Sequence, residues 1–155
     1  MDKLSDILKS NGLTISVAES CTAGLLASQL TDIPGSSKYF IAGIVAYSRD
    51  IKTSLLNVPE YIEVVSDKCA IAMNQGLTKL VKSDIHVSVT GNIGENDNPK
   101  LSNVVYFSIL YNCIDYAFKI DLEKSFNKRV EAKQFIVSII IDKLSKVIEG
   151  KDYLT

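Results

Sequence analysis

The sequence predicts an α/β protein, a three-layer α/β/α sandwich on a mixed, partly parallel sheet. Two observations predict it. Early apolar strands alternate with helical stretches, the pattern of βαβ units. Later, two β-rich runs are separated only by Tyr111-Asn112-Cys113, the pattern of a hairpin, which adds antiparallel strands.

The elements follow in order. Leu4, Ile7 and Leu8 form a helical stripe that Asn11-Gly12 ends. Residues 13–18 alternate like a strand, and residues 21–30 have helical composition. Glu19-Ser20-Cys21-Thr22 joins the two with no loop to spare. Residues 31–37 are turn-rich, and residues 39–47 are apolar with β-branched and aromatic members, predicting a buried strand. Ser48 is placed to N-cap a helix with Ile51, Leu55 and Leu56 on one face and Asp50 in its first turn; Pro59 ends that stretch. Ser66 and Asp67 open a longer helix through about Val81, apolar along Ala70, Met73, Leu77, Leu80 and Val81. Residues 85–90 read as a strand and 91–100 as a polar loop. Residues 104–110 and 114–120 make the hairpin, and 126–148 make the final helix.

The 155 residues are 46% apolar and 23% charged, which predicts one globular domain over residues 1–155 that needs no disulfide or metal to fold. Net charge is −1 with Lys and Arg dispersed, which argues against a nucleic-acid or anionic-membrane surface. The longest apolar run, near 135–141, is well short of the ~20 residues of a membrane span. Met1-Asp2-Lys3 continues amphipathically and does not read as a signal peptide. Cys21, Cys69 and Cys113 cannot all pair and have no metal-like neighbours, so a reduced, cytoplasmic protein standing alone is the expectation.

Four segments can carry chemistry. Glu19-Ser20-Cys21-Thr22-Ala23-Gly24 joins a strand to a helix, where unpaired N–H groups suit a phosphate or an oxyanion; the plainer reading is that Ser20 or Thr22 caps a helix. Cys21 also invites a thiolate reading with His86, the only histidine, although a lone strand histidine is more often structural. Next come Pro34-Gly35-Ser36-Ser37, Tyr47 and Lys52. A hydroxyl nucleophile without histidine can use a lysine of lowered pKa, and both the helix dipole and Arg49 push Lys52 in that direction. Solvated lysine is the plain alternative. The third segment is Val89-Thr90-Gly91-Asn92-Ile93-Gly94 at a strand end, a ligand crevice or a connecting loop. Arg129, with Lys133 one turn on, suits a phosphate clamp or a solvated helix face.

Together these segments resemble the CinA C-terminal domain family, whose characterised members are nicotinamide-nucleotide amidases. The family run A-E-S-C-T-G-G-L is present as Ala18-Glu-Ser-Cys-Thr-Ala-Gly-Leu25, and T-D-x-P-G-[AS]-S-x-x-F as Thr31-Asp-Ile-Pro-Gly-Ser-Ser-Lys-Tyr-Phe40. G-x-V-x-Y-S-N-E-x-K appears as Gly43-Ile-Val-Ala-Tyr-Ser-Arg-Asp-Ile-Lys52, and L-L-x-V-P as Leu55-Leu-Asn-Val-Pro59. The resemblance implies hydrolysis of the carboxamide of nicotinamide mononucleotide to nicotinate mononucleotide and ammonia, without metal or cofactor. It implies Ser37 as nucleophile, activated by Lys52 and Tyr47. Glu19, Ser20, Cys21, Thr22, Thr90, Gly91 and Arg129 are then expected to hold the substrate, and a homodimer is expected. The sequence departs from the family after Val89-Thr90-Gly91. The glycine-rich loop is replaced by Asn92-Ile-Gly-Glu-Asn-Asp-Asn-Pro-Lys100, where Glu95 and Asp97 add negative charge that disfavours a phosphate. A catalytically impaired relative that binds a nucleotide or a protein is therefore the alternative.

Overall fold

The computed structural model describes residues 1–122 and 126–151. In chain order these form α1 (Asp2–Ser10), β1 (Ile15–Glu19), α2 (Leu25–Leu30), β2 (Phe40–Val45), α3 (Arg49–Leu56) and α4 (Asp67–Leu80). Then follow β3 (Ile85–Asn92), β4 (Val104–Tyr111), β5 (Ile114–Asp121) and α5 (Arg129–Ile148). The strands lie in the order β2-β1-β3-β4-β5. β1 runs parallel to both β2 and β3, while β4 and β5 pair antiparallel. The three-layer sandwich on a mixed sheet is the observed architecture. Among the described residues, no helix is long and apolar enough to cross a membrane.

Strand alternation sets the two layers of helix. Ile15 and Val17 of β1, Val87 and Val89 of β3, and Phe107 and Ile109 of β4 pack into one core with Leu8 of α1, Leu26 of α2, and Ile136 and Ile140 of α5. The opposite face carries Ser16, His86, Ser88, Thr90 and Ser108, all buried. By alternation alone that face would look out to water, yet α4 covers it. The short side chains let the helix come close, and at Ser88 and Ser108 hydrogen bonds to α4 take water's place. Ser88 Oγ donates to Ala70 O, and Asn74 Nδ2 donates to Ser108 O at 3.0 Å.

Local expectations hold at the caps and the hairpin. Ser48 accepts from Ile51 N–H and Ser66 from Cys69 N–H, as good N-caps do. The β4–β5 turn places Asn112 and Cys113 at φ 51° and 62°, the paired left-handed residues of a tight hairpin. Three expectations need correction. β2 is an edge strand whose residues alternate between half-buried and exposed, because among the described residues β1 is its only strand neighbour. α2 starts at Leu25 rather than near Cys21, since Ala23 (φ 49°) and Gly24 (φ 98°) turn the chain out of helical geometry first. α3 faces the core with Lys52 and Leu56, leaving Ile51 and Leu55 exposed.

α3 and α4 meet at Gly76, where an added Cβ would lie 1.9 Å from the carbonyl oxygen of Leu56. That atom is backbone at the end of a helix and cannot step aside as a side chain can. Gly76→Ala is expected to lower the unfolding free energy by about 3 kcal/mol, an overpacking penalty read from denaturant midpoints. An unchanged midpoint would show that the two helices can separate freely.

Candidate active site

Parallel pairing brings the site together. Glu19 of β1 pairs with Val45 of β2, so the residues after each strand emerge at the same end of the sheet. The chain runs from β1 out to the edge at β2, then back across β1 to β3. The end of β1 therefore lies where strand order reverses, the place where open α/β sheets hold ligands. Ser20 leaves β1 at this point, and Tyr47 and α3 follow β2 beside it.

Lys52, only 3% exposed, lies on the inward side of α3. Its Nζ donates to Ser20 Oγ at 2.8 Å and to the main-chain oxygen of Tyr47 at 2.7 Å. Burial lowers its pKa from the ordinary 10.5, and the Arg49 guanidinium adds to the push. Cys69 and Cys21 would oppose this as thiolates. Burial raises both thiols, Cys21 to about 12, so they stay neutral near pH 7. Arg49, which the sequence put forward, is thus secondary to desolvation. Arg49 itself is fixed by donating from Nη2 to Ile62 O at 2.7 Å.

Ser37 is not part of this cluster. It sits in an exposed 3-10 turn (Ser36–Lys38) before β2, whereas Lys52 lies beyond the other end of that strand. The six residues of β2 at about 3.3 Å each put roughly 20 Å between the two ends. The neighbour of that turn is α1, whose Lys9 Nζ donates to Pro34 O at 3.0 Å. Within the chain, the hydroxyl that meets Lys52 is that of Ser20. Tyr47 also takes a different part from the one expected. Its carbonyl, rather than its phenol, holds the lysine, and the largely exposed phenol meets Arg129 Nη2 at 3.4 Å.

Several residues expected to hold substrate are occupied in supporting the site. Glu19 is buried and accepts from Thr22 Oγ1 at 2.6 Å, from Leu26 N–H at 2.8 Å and from Ala27 N–H at 2.9 Å. Its carboxylate thereby satisfies the first free N–H groups of α2 and fixes the turn that presents Ser20. Thr22 is spent on the same carboxylate. Cys21 is buried and protonated, and His86 lies at the far end of β3, paired opposite Ser16 and bound to Val81 O at 2.8 Å. A Cys21–His86 pair is not formed. Thr90 Oγ1 donates to Val64 O at 2.7 Å, which ties the segment before α4 to β3. Gly91 is a strand residue whose absent side chain admits β4, since an added Cβ would lie 2.6 Å from Val105 Cα.

Arg129 does face open space. Its Nη1 donates to Ile93 O at 2.6 Å, and it borders a cleft of about 310 Å³ lined also by Gly94, Glu95, Asn103 and Phe126. A larger cavity of about 470 Å³ between α3 and α4 touches none of these residues. Among the described residues, no group of three or more His, Cys, Asp or Glu side chains is placed to hold a metal ion.

A family model described as the CinA C-terminal domain matches residues 1–146. A CinA-like protein of Geotalea uraniireducens is 48% identical over 95 residues, 59% of this chain and 23% of that protein. A CinA-like protein of Dictyoglomus thermophilum is 44% identical over 110 residues, 67% and 27% of the two chains. The chain spans about a quarter of the length of these curated relatives. Among solved structures, the competence damage-inducible protein A of Klebsiella pneumoniae superposes with a TM-score of 0.87 at 21% identity, covering 97% of this chain and 96% of that one. The competence/damage inducible protein CihA of Agrobacterium tumefaciens gives 0.80 at 25% identity, covering 95% and 96%.

A buried lysine of lowered pKa burdens the fold at any pH where it is protonated. The burden is full below its folded pKa and vanishes above the unfolded value near 10.5. Lys52→Met is therefore expected to be more stable than the parent at neutral pH, with the gain shrinking as pH approaches 10.5. Thermal unfolding at several pH values checks this, and a variant less stable at pH 7 would show that the ammonium is welcome where it lies.

Proposed function

This chain belongs to the CinA C-terminal domain family, and on that premise we propose that it hydrolyses the carboxamide of a nicotinamide nucleotide, nicotinamide mononucleotide in the first instance, with Ser20 as nucleophile and Lys52 as its base. The observation that carries the reading is the 2.8 Å contact between Lys52 Nζ and Ser20 Oγ inside a desolvated site. A neutral amine has one lone pair and two hydrogens. With one hydrogen given to Tyr47 O, the lone pair is free to take the Ser20 proton.

The steps follow from that geometry. Ser20 Oγ attacks the carboxamide carbon while its proton passes to Lys52. The backbone N–H groups that follow Ser20 in the turn are the donors this reading assigns to the oxyanion. Collapse of the tetrahedral adduct breaks the C–N bond, and the Lys52 ammonium gives its proton to the departing nitrogen, which leaves as ammonia. Water, deprotonated by the same lysine, then releases the acyl group from Ser20 as a carboxylate. Arg129 and Tyr47, joined at 3.4 Å, border the space where the rest of the substrate lies. A small-molecule substrate and a homodimer in the cytoplasm remain part of the proposal. A second reading, binding without turnover, draws on the altered 91–100 loop.

Ammonia release from nicotinamide mononucleotide tests both readings. Ser20→Ala is expected to reduce it by about a thousandfold or more, as loss of a nucleophile does, while Ser37→Ala leaves it within about twofold, the effect of a remote surface change. The reverse pattern would return the nucleophile to Ser37. Binding of the nucleotide by the parent protein with no ammonia formed would favour the second reading.

A further inference from the structure

The loop that departs from the family also closes itself. Asn103 Oδ1 accepts from Gly94 N–H at 2.8 Å, and Ser102 Oγ from Asn96 N–H at 2.8 Å. Asn96 Oδ1 accepts from Asn98 N–H at 2.9 Å, and Asn98 Oδ1 from Lys100 N–H at 3.1 Å. A glycine-rich loop binds phosphate by turning its backbone N–H groups toward the ligand. Here four of those groups are held by side chains of the loop itself.

The charge in the adjoining cleft points the same way. Arg129 is the cation lining it, already engaged with Ile93 O and the Tyr47 phenol, and Glu95 lines the same cleft. A phosphate carries about −1.5 to −2 charges, and meets there one shared cation and one carboxylate. Ribose hydroxyls are donors that a carboxylate accepts well, and the pyridinium ring of a nicotinamide nucleoside carries a positive charge.

We infer that the cleft beside Arg129 takes the hydroxyl-bearing, unphosphorylated end of a cationic nicotinamide nucleoside, and that Glu95 is the residue that selects against a phosphate there. This rests on the carboxamide-hydrolase reading and moves its preferred substrate from the mononucleotide to the nucleoside. Glu95 acts on specificity alone and takes no part in bond breaking.

The test compares nicotinamide riboside with nicotinamide mononucleotide, as kcat/KM for ammonia release and as Kd by calorimetry on the non-hydrolysing Ser20→Ala protein. The parent is expected to favour the riboside. Glu95→Gln, an exposed position with no hydrogen bond to lose, is expected to shift the preference about tenfold toward the mononucleotide, the size of one nearby partly screened charge. Asp97→Asn, in the same loop but outside the cleft lining, should move it less than about twofold. A parent that prefers the mononucleotide, or a preference unmoved by Glu95→Gln, overturns the assignment, as does binding of neither ligand. Tighter binding of the riboside with no ammonia from either compound supports the cleft assignment and overturns the hydrolase reading.

Discussion

Lys52 enters the protein interior with a hydroxyl and a carbonyl for company, and among the described residues no carboxylate pairs with it. Most buried ammonium groups are offset by a negative partner, which holds their pKa high and makes them poor bases. Here desolvation is left uncompensated, so the site trades stability for basicity. The other features of the site serve that arrangement. Ser48 caps the helix that carries the lysine, Arg49 adds a like charge while anchored to Ile62 O, and the two nearby thiols stay neutral.

The sheet makes the arrangement possible. Its α4 face is built from serine, threonine and histidine rather than bulky apolar residues, and α4 lies close against it. Glu19 does the corresponding work on the opposite face. Its carboxylate faces α2, away from Lys52, and binds the turn after Ser20 to the start of that helix. One acidic residue is thus kept from neutralising the lysine by the alternation of β1, since Glu19 and Ser20 point to opposite sides of the sheet. Shifting that strand by one residue would place the carboxylate against the ammonium and abolish the base.

Much of this was legible in the sequence, and the placement of Ser37 is instructive. The N-caps at Ser48 and Ser66 and the hairpin turn follow from local chemistry and are present. Ser37, expected as nucleophile from the family resemblance, lies at the other end of β2 from Lys52. A strand that leads from a serine toward a lysine carries them apart. The parallel βαβ arrangement, itself predicted, held the better clue: parallel neighbours deliver their following residues to one end, so Ser20 after β1 belongs beside Tyr47 and Lys52 after β2. The inward turn of α3 was hidden for another reason. Apolar periodicity assigns Ile51 and Leu55 to the core, and nothing local announces that a lysine takes the buried position instead. The loop at 91–100 was legible in its charge but not in its closure, which depends on Asn103 and Ser102 side chains meeting backbone nine and six residues away in folded form.

The central claim is that the Lys52 amine titrates below its ordinary 10.5 because it is desolvated next to Ser20. A direct reading is the 15N chemical shift of Lys52 Nζ followed through a pH titration, assigned by its absence in a Lys52→Met sample. A midpoint clearly below 10.5 is the predicted result. A midpoint at or above that value would mean the amine is an ordinary ammonium, and the contact with Ser20 would then be a hydrogen bond of the fold and nothing more.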